Sequence, residues 1–344
     1  MPFTTQEGIV KIAVVRSRTA GYHSWQFIND SVSEGRSMGF TVDTFLLEDE
    51  QRCMGLLDRI VRADYDGLIF SCVVKELKCE TILYALDNGL KIVTFGMFPS
   101  LGCFRNADLS GLTITNINHE KLARISLDYI VSGFGGNGRP PRVIRILNGG
   151  APCLDTYQRV YGEFLEKGMI EEAAFLSPAN SKNVRNDTKE TLAEILRNIP
   201  YGSADVIWAP GIRFAKGSLD ALKKSGRDDI KMVSIGITNE TLRLMSANPD
   251  LWLATAAVDP SIIGVVNMRL LAAKLAGEET PVAFLFSPQI IEAAGLNMGA
   301  NLANIAAMVP GWGQAAGLFD HYKWMEKLKT TGRIYPHLSP GAGH

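Results

Sequence analysis

Seven residues decide the fold: Ile9-Val10-Lys11-Ile12-Ala13-Val14-Val15, followed by the polar loop Arg16-Ser17-Arg18-Thr19-Ala20-Gly21-Tyr22-His23-Ser24-Trp25. A short apolar run bounded by turn signals is typical of a buried parallel strand. The apolar spacing that continues to Met38-Gly39-Phe40 indicates an amphipathic helix covering that strand. The chain therefore opens as a strand, a loop and a helix.

The same alternation continues through the first half of the chain. Further strands are predicted over residues 41–47, 67–70 and 91–95, with helices over 53–62 and 78–88. Gly89 is predicted to end the last of these helices. The first half therefore has the order βαβαβαβ.

The second half repeats this scheme. Strands are predicted over residues 142–147, 173–176, 204–209 and 231–235, and helices over 156–167, 186–198 and 214–225. Alternating strands and helices favour parallel sheets wrapped by helices. A length of 344 residues fits two domains. We therefore predict an α/β fold with two doubly wound parallel sheets.

Composition excludes several classes of partner. The formal net charge is −1, from 35 basic and 36 acidic residues, so no global field would attract nucleic acid or an anionic membrane. No apolar stretch approaches the roughly 18 to 20 residues that span a bilayer. The N-terminal residues lack the basic and apolar regions of a signal peptide, so we expect a cytoplasmic chain or a mature form without its signal.

Five cysteines are present, Cys53, Cys72, Cys79, Cys103 and Cys153, and they form no CxxC motif. Their odd number favours a reducing compartment or buried thiols, and it leaves one disulfide bridge open. Cysteine usage alone does not settle the location.

Familiar catalytic and cofactor motifs are absent from the sequence. There is no GxxxxGK[ST], GxSxG or HExxH motif, and the five histidines lack metal-ligand spacing. The glycine-rich segment 133–138 follows a predicted helix rather than a strand, so we interpret it as a crossover between domains and not as a dinucleotide loop. We predict no catalytic residues, no metal and no cofactor, and hence no enzyme.

Several segments together resemble the type I periplasmic binding proteins, the ribose-binding-protein class of sugar ABC transporters. The segments that carry the resemblance are Lys11-Ile12-Ala13-Val14-Val15, Asp66-Gly67-Leu68-Ile69-Phe70, Lys91-Ile92-Val93-Thr94-Phe95, Asn118-His119-Glu120-Lys121-Leu122-Ala123, Gln158-Arg159-Val160-Tyr161-Gly162, residues 215–222 with 226–230, and residues 253–264. Each is weak alone, but their order and spacing cover residues 9–290. The aromatic first loop and the Gly-Arg-Asp-Asp-Ile turn are also similar to the autoinducer-binding and sensor-partner branches.

The resemblance implies two αβ lobes joined by a three-crossover hinge, with a small ligand in the cleft. We predict an N-terminal lobe of residues 8–132 plus 258–288 and a C-terminal lobe of 133–257 plus 289–300. The crossovers would lie near 129–138, 256–259 and 287–291. A tail, 301–344, would pack on one lobe, with a helix near 318–329; docking of this tail to a membrane partner is the alternative.

The resemblance places ligand contacts in the first loop. Trp25 would stack on the apolar face of a sugar ring, although it could instead begin and underlie the first helix. Tyr22, His23 and Arg18 share that loop and are further candidates. In the second lobe, Arg159 could donate to two hydroxyls or a carboxylate at once, or it could be a surface arginine of its helix.

Loops that follow the strands supply the remaining candidates, since open α/β sheets bind ligands beyond their carboxyl ends. Asn118 could bind ligand or merely cap the next helix. The other candidates are Ser71, Gly211, Asn239 and Asp259. Two departures from the ribose-type pattern remove polar anchors: Pro210-Gly211-Ile212-Arg213 replaces an Asn-Asp pair, and Gly236-Ile237-Thr238-Asn239 replaces an Asp. We therefore expect a polyol, an unusual sugar derivative or an autoinducer-like furanose rather than plain ribose.

These expectations combine into one leading function. The chain is predicted to be a monomeric periplasmic solute-binding protein, without its signal peptide, that captures a sugar, polyol or sugar derivative by lobe closure and delivers it to a membrane ABC permease. One alternative is a ligand-sensing partner of a membrane histidine kinase. Another is a LacI-type effector domain, which is disfavoured because no helix-turn-helix precedes the first strand.

Overall fold

The computed structural model describes residues 10–17, 22–48, 52–71, 79–96, 104, 107–146, 152–178, 182–313, 319 and 322–330. The chain folds into two compact units. The first comprises residues 1–116, 260–285 and 313–344, and the second comprises 117–259 and 286–312. Each unit contains one six-stranded sheet.

Strands and helices alternate along the chain, as predicted. The elements up to the first unit boundary are β1 Lys11–Ser17, α1 Tyr22–Ser37, β2 Thr41–Leu47, α2 Cys53–Arg62, β3 Gly67–Ser71, α3 Cys79–Asp87, β4 Lys91–Phe95 and β5 Leu112–Ile117. Those of the second unit are α4 His119–Phe134, β6 Arg142–Ile146, α5 Pro152–Glu166, β7 Glu171–Leu176, α6 Val184–Asn198, β8 Val206–Ala209, α7 Ile212–Ser225, β9 Lys231–Ile235, α8 Asn239–Ser246 and β10 Trp252–Ala257. The chain then forms α9 Pro260–Leu275, β11 Ala283–Phe286, β12 Gln289–Glu292 and α10 Lys323–Thr330.

The two sheets have the same strand order. Their strand orders are β11-β5-β4-β3-β1-β2 and β12-β10-β9-β8-β6-β7. Neighbouring strands from β2 to β5 and from β7 to β10 are parallel, whereas β12 runs antiparallel to β10. The predicted α/β class and the internal repeat are confirmed.

Burial accounts for the continuous apolar sequence of β1. Ile12, Ala13, Val14 and Val15 of β1 are fully buried, as expected for a strand covered on both faces. Gly89 ends α3 with φ of 87°, and the N–H of Leu90 donates to the carbonyl of Ala85. This left-handed glycine is the predicted helix stop, because residues with a Cβ rarely adopt that conformation.

The first unit boundary lies earlier than the sequence predicted. The chain leaves the first unit at residue 116, before α4, and not near 132 after that helix. Leu122, Leu127 and Ile130 of α4 pack with Tyr161 of α5 and Trp208 of β8. The segment 133–138 therefore lies within the second unit and is not a crossover. The later boundaries, after residues 259 and 285, fall within about two residues of the predicted crossovers.

The C-terminal tail is shared between the two units rather than packed on one. Ile305, Val309 and Trp312 join a core cluster of the second unit with Leu242 of α8. After residue 312 the chain belongs to the first unit, where the indole N–H of Trp324 donates to Glu278. Part of the predicted helix over 318–329 is observed as α10, which begins at Lys323. Within the described residues, no helix is both long and apolar enough to cross a membrane.

Candidate functional site

The carboxyl edge of the first sheet brings together residues from four strands. Register pairs Arg16 with Ser71, Ser71 with Phe95, and Phe95 with Thr115. Neighbouring parallel strands lie about 4.8 Å apart, so these positions form one continuous edge. Ser71, a predicted site residue, is buried there. Its ligand role stays a prediction.

Two residues of this edge were missed from the sequence. Phe95 ends β4, is partly exposed and stacks on Phe27 of α1, with ring centroids 5.3 Å apart. Arg16 is a partly exposed cation near the end of β1. Both could have been found from the sequence by their position at the carboxyl ends of predicted strands, because open α/β sheets bind ligands at that edge.

The first-loop candidates are described in part. Tyr22, His23 and Trp25 lie at the start of α1. That helix begins at Tyr22, inside the segment predicted to be a loop. Their side chains, and the whole of Arg18, lie outside the described residues. Their ligand roles stay predictions.

At the carboxyl edge of the second sheet, the ends of β8 and β9 are apolar. Ala209 ends β8 and is followed by Pro210 and by Gly211, the N-cap residue of α7. Ile212 lies over Gly236, the residue after β9: a Cβ added at Gly236 would be 3.0 Å from Cγ1 of Ile212. Gly236 also has φ of 103°, which disfavours any other residue. The two departures noted in the sequence thus meet at one place in the fold.

Polar side chains that follow β5 and β9 act as helix caps or tie down the tail. Asn118 accepts a hydrogen bond of 2.9 Å from the N–H of Lys121 and caps α4. Thr238 caps α8 by accepting from the N–H of Thr241 at 3.0 Å. Asn239 accepts from the N–H of Leu302 in the tail at 2.8 Å. The capping alternative for Asn118 is therefore observed, and ligand roles for Asn118 and Asn239 stay predictions.

Two charged residues, Asp259 and Arg213, follow the ends of β10 and β8. Asp259 follows β10, is 8% exposed and is the last residue before the chain leaves the second unit. Arg213 lies in the first turn of α7 with an exposed side chain.

Arg159 lies in a surface network of ion pairs. Its guanidinium contacts Glu120 of α4 at 2.9 Å and also pairs with Glu163, one turn further along α5. Arg124 pairs with the same two carboxylates, at 3.0 and 2.6 Å. These contacts favour the alternative of a surface arginine; a ligand role stays a prediction.

His119 begins α4 and contacts Tyr157 of α5, with 2.8 Å between Nδ1 and the phenol oxygen. Burial lowers the pKa of His119 to about 4, so the imidazole is neutral at pH 7. Burial also raises the pKa of Tyr157 far above its usual value. This neutral pair joins the first turn of α4 to the second turn of α5, and the two helices pack together. Across the described residues, no group of three or more His, Cys, Asp or Glu side chains could hold a metal ion.

Solved structures resemble the whole chain. A sugar ABC transporter protein from Yersinia enterocolitica is 31% identical, with 94% of this chain and 96% of that chain covered and a TM-score of 0.76. A 5-methylthioribose transporter solute-binding protein from Thermotoga lettingae is 22% identical over 94% and 97%, with a TM-score of 0.75. A periplasmic ribose ABC transporter protein from Conexibacter woesei is 14% identical over 88% and 96%, with a TM-score of 0.71. No protein-family model matches the sequence, and no curated protein matches it.

These likenesses define the class of protein. Identity of 31% over nearly the full length of both chains places this chain in the family of sugar ABC transporter solute-binding proteins, which have the type I periplasmic binding protein fold. The resemblance seen in the sequence is confirmed. These transport proteins do not favour the sensor-partner or LacI-type alternatives.

Proposed function

We propose that this protein captures a sugar or sugar derivative at the carboxyl edges of its two sheets, closes its two units around it and delivers it to an ABC permease. The observation that carries the proposal is the 31% identity to the Yersinia enterocolitica sugar ABC transporter protein over 94% of the chain. Proteins of the same fold bind 5-methylthioribose and belong to ribose transport. The polar and aromatic edge of the first sheet, with Arg16, Ser71 and Phe95, suits a hydroxylated ring.

Closure would follow from differential binding. A ligand that contacts both units stabilises the closed arrangement over the open one by the difference in its affinity for the two. A family member of this kind has no chemical step to perform, so binding and release account for its role in transport.

We propose a periplasmic location. The relative from Conexibacter woesei is described as periplasmic. Cys79 is disulfide-bonded, and disulfides persist in oxidising compartments and are rare in the cytosol. Fractionation of cells that express the gene with its own upstream region would place the protein with periplasmic markers; recovery with cytosolic markers would contradict the proposal.

The test of function is ligand-dependent stability. Protein unfolded and refolded to remove bound solutes is heated with a panel of pentoses, hexoses, polyols and sugar acids, and with amino acids as a control. A ligand that binds only the folded state adds RT ln(1 + [L]/Kd), about 2.7 kcal/mol at 100 times Kd. A raised midpoint with carbohydrates alone supports the proposal, and a response confined to amino acids, or to nothing, refutes it.

The binding edge is tested by a matched pair of serines. Ser71→Ala removes a buried hydroxyl at the carboxyl edge of the first sheet, and Ser110→Ala removes an exposed one just before β5, at the opposite edge. Ser71→Ala should weaken carbohydrate binding by about 1 to 3 kcal/mol, since a partner group is left unpaired. Ser110→Ala should bind normally. Equal affinities for the two variants would remove Ser71 from the site.

A further inference from the structure

Ile212 and Gly236 form an apolar surface at the carboxyl edge of the second sheet. Ile212 is the first residue of α7 and is partly exposed. Gly236 follows β9, and the 3.0 Å between an added Cβ and Cγ1 of Ile212 means that a larger residue would push the isoleucine by a few tenths of an ångström. The glycine therefore leaves room for the Ile212 side chain at the strand ends.

Two neighbouring polar side chains, those of Thr238 and Asn239, make hydrogen bonds within the protein. Thr238 is engaged with both the N–H and the hydroxyl of Thr241. The side-chain oxygen of Asn239 holds the tail at Leu302. Pro210, immediately before Gly211, has no N–H to donate. Among the described residues that follow β8 and β9, Ile212 and Gly236 thus offer a ligand hydrocarbon, next to the exposed side chain of Arg213 at the following position of α7.

We propose that Ile212 and Gly236 form an apolar subsite that takes an alkyl or alkylthio substituent of the sugar where a hydroxyl would otherwise lie. This inference rests on the proposed function, because it assumes that a carbohydrate occupies the carboxyl edges of the sheets. A hydroxyl pressed against Ile212 would lose its water without gaining a partner, whereas a methyl or methylthio group gains by leaving water.

Three probes test the substrate class. 5-Methylthioribose carries a methylthio group where ribose has its 5-hydroxyl, and methyl ribofuranoside carries a methyl group at the opposite end of the ring. Calorimetric titration should give one of the two an affinity at least roughly tenfold above that of ribose, the discrimination that one extra apolar group achieves in an apolar pocket. Ribose binding as tightly as both derivatives would overturn the apolar subsite and leave the proposed function standing.

Failure of all three probes also overturns the inference about substrate class. It overturns the proposed function as well only if the wider carbohydrate panel produces no stabilisation. The two failures are therefore distinguishable from the same protein preparation.

Two variants of equal shape test the residue. Ile212→Val shortens the side chain but keeps it apolar, and Ile212→Thr replaces one methyl of that valine with a hydroxyl. The preference for the substituted sugar should persist in Ile212→Val and fall by roughly tenfold in Ile212→Thr. Ile199→Thr, a partly exposed isoleucine that ends α6 and lies ahead of β8, is the control and should leave the preference unchanged. Equal preferences in the valine and threonine variants would remove Ile212 from the subsite.

Discussion

The carboxylate of Asp205 accepts a hydrogen bond of 2.7 Å from the backbone N–H of Arg142. Asp66 makes the same 2.7 Å contact with the N–H of Lys11 in the first unit. Lys11 and Arg142 begin β1 and β6, the two strands that occupy equivalent positions in the two sheets. Both sheets thus use a carboxylate ahead of their third strand to satisfy the first N–H of their first strand.

Asp205→Ala should destabilise the protein more than Asp66→Ala. Asp205 also receives the guanidinium of Arg139 at 2.7 and 2.9 Å, whereas Asp66 is an exposed acceptor. Losing hydrogen bonds to a partly buried charge should cost about 2 to 3 kcal/mol, against about 1 kcal/mol at Asp66. Urea unfolding measures both, and equal losses would contradict the ranking.

The Asp205 contribution should depend on pH. Burial alone would raise the pKa of Asp205, but hydrogen bonds from Arg139 and Arg142 outweigh it and hold that pKa well below its usual range. A carboxyl with a lowered folded pKa stabilises fully above its unfolded pKa, about 3.9, and loses that effect as pH falls through the folded pKa. The stability gap between wild type and Asp205→Ala should therefore shrink below about pH 4; a constant gap would refute this.

Gly264→Ala should destabilise the first unit. A Cβ at Gly264 would lie 2.5 Å from the carbonyl oxygen of Phe27 and 2.8 Å from the N–H nitrogen of Ser31, both backbone atoms of α1. Because α1 and α9 must separate to admit it, the expected cost is about 1 to 3 kcal/mol.

Gly162→Ala is the control for that substitution. Gly162 lies inside α5, and an added Cβ would meet nothing within 4 Å. Replacing a helical glycine by alanine should stabilise by about 0.5 to 1 kcal/mol. Shifts of opposite sign in thermal unfolding are expected, and a loss of stability in both would contradict the helix-crossing argument.

His119 should make the protein less stable in mild acid. Burial lowers its folded pKa to about 4, whereas the unfolded chain protonates near 6.5. Between these values the unfolded state binds more protons, so stability falls as pH drops from 6.5 towards 4. His119→Gln removes this titration. Urea midpoints at pH 7.5 and 5 should differ less in the variant than in wild type, and an unchanged difference would assign the acid loss to other groups.

Trp312 should anchor the tail to the second unit through its volume and not its N–H. It is 5% exposed and packs in a cluster with Ile237, Leu242 and Ala257, and among the described residues its buried Nε1 has no hydrogen-bond partner. Trp312→Ala should cost about 3 to 5 kcal/mol by leaving a cavity. Trp312→Phe keeps an aromatic ring and removes the unsatisfied N–H, so its loss should be much smaller. Equal losses in urea unfolding would mean that the indole N–H matters.

Three of the five cysteines should react as thiols in the denatured, unreduced protein. Cys79 is disulfide-bonded, and Cys53 and Cys153 carry thiols. A single bridge therefore leaves three thiols for maleimide, which mass spectrometry counts, and reduction should raise the number to five. Cys79→Ser should give four labels without reductant. Five labels on the unreduced wild type would show that no bridge forms.

Local patterns account for what the sequence predicted correctly. Strands β2, β4 and β9 and helix α2 have the predicted bounds, because apolar alternation and spacing are properties of neighbouring residues. The strand β5, the short helix α8 and the early start of α5 were not predicted. In these segments the apolar spacing favours neither a helix nor a strand clearly, so packing against the rest of the unit decides the conformation.

The candidate site residues divide in the same way, into those that local pattern could place and those that depend on tertiary packing. Ser71 and Gly211 were placed correctly at strand ends, since the carboxyl ends of parallel strands follow directly from the order of elements. The pairing of Arg159 with Glu120 could not be foreseen, because Glu120 lies 39 residues away and reaches it through the packing of α4 on α5. Phe95 was taken as a strand residue, and its stacking on Phe27 arises from the tertiary fold.

The sequence by itself determined the α/β class, the internal repeat and the family, because these depend on the order and spacing of elements along the chain. The tertiary structure decided which unit α4 joins, how the tail divides between the units, and that Ile212 meets Gly236 at one strand edge. Those outcomes depend on contacts between residues far apart in the chain. Such contacts depend on how side chains of given volumes pack together, and the local sequence pattern does not contain that information.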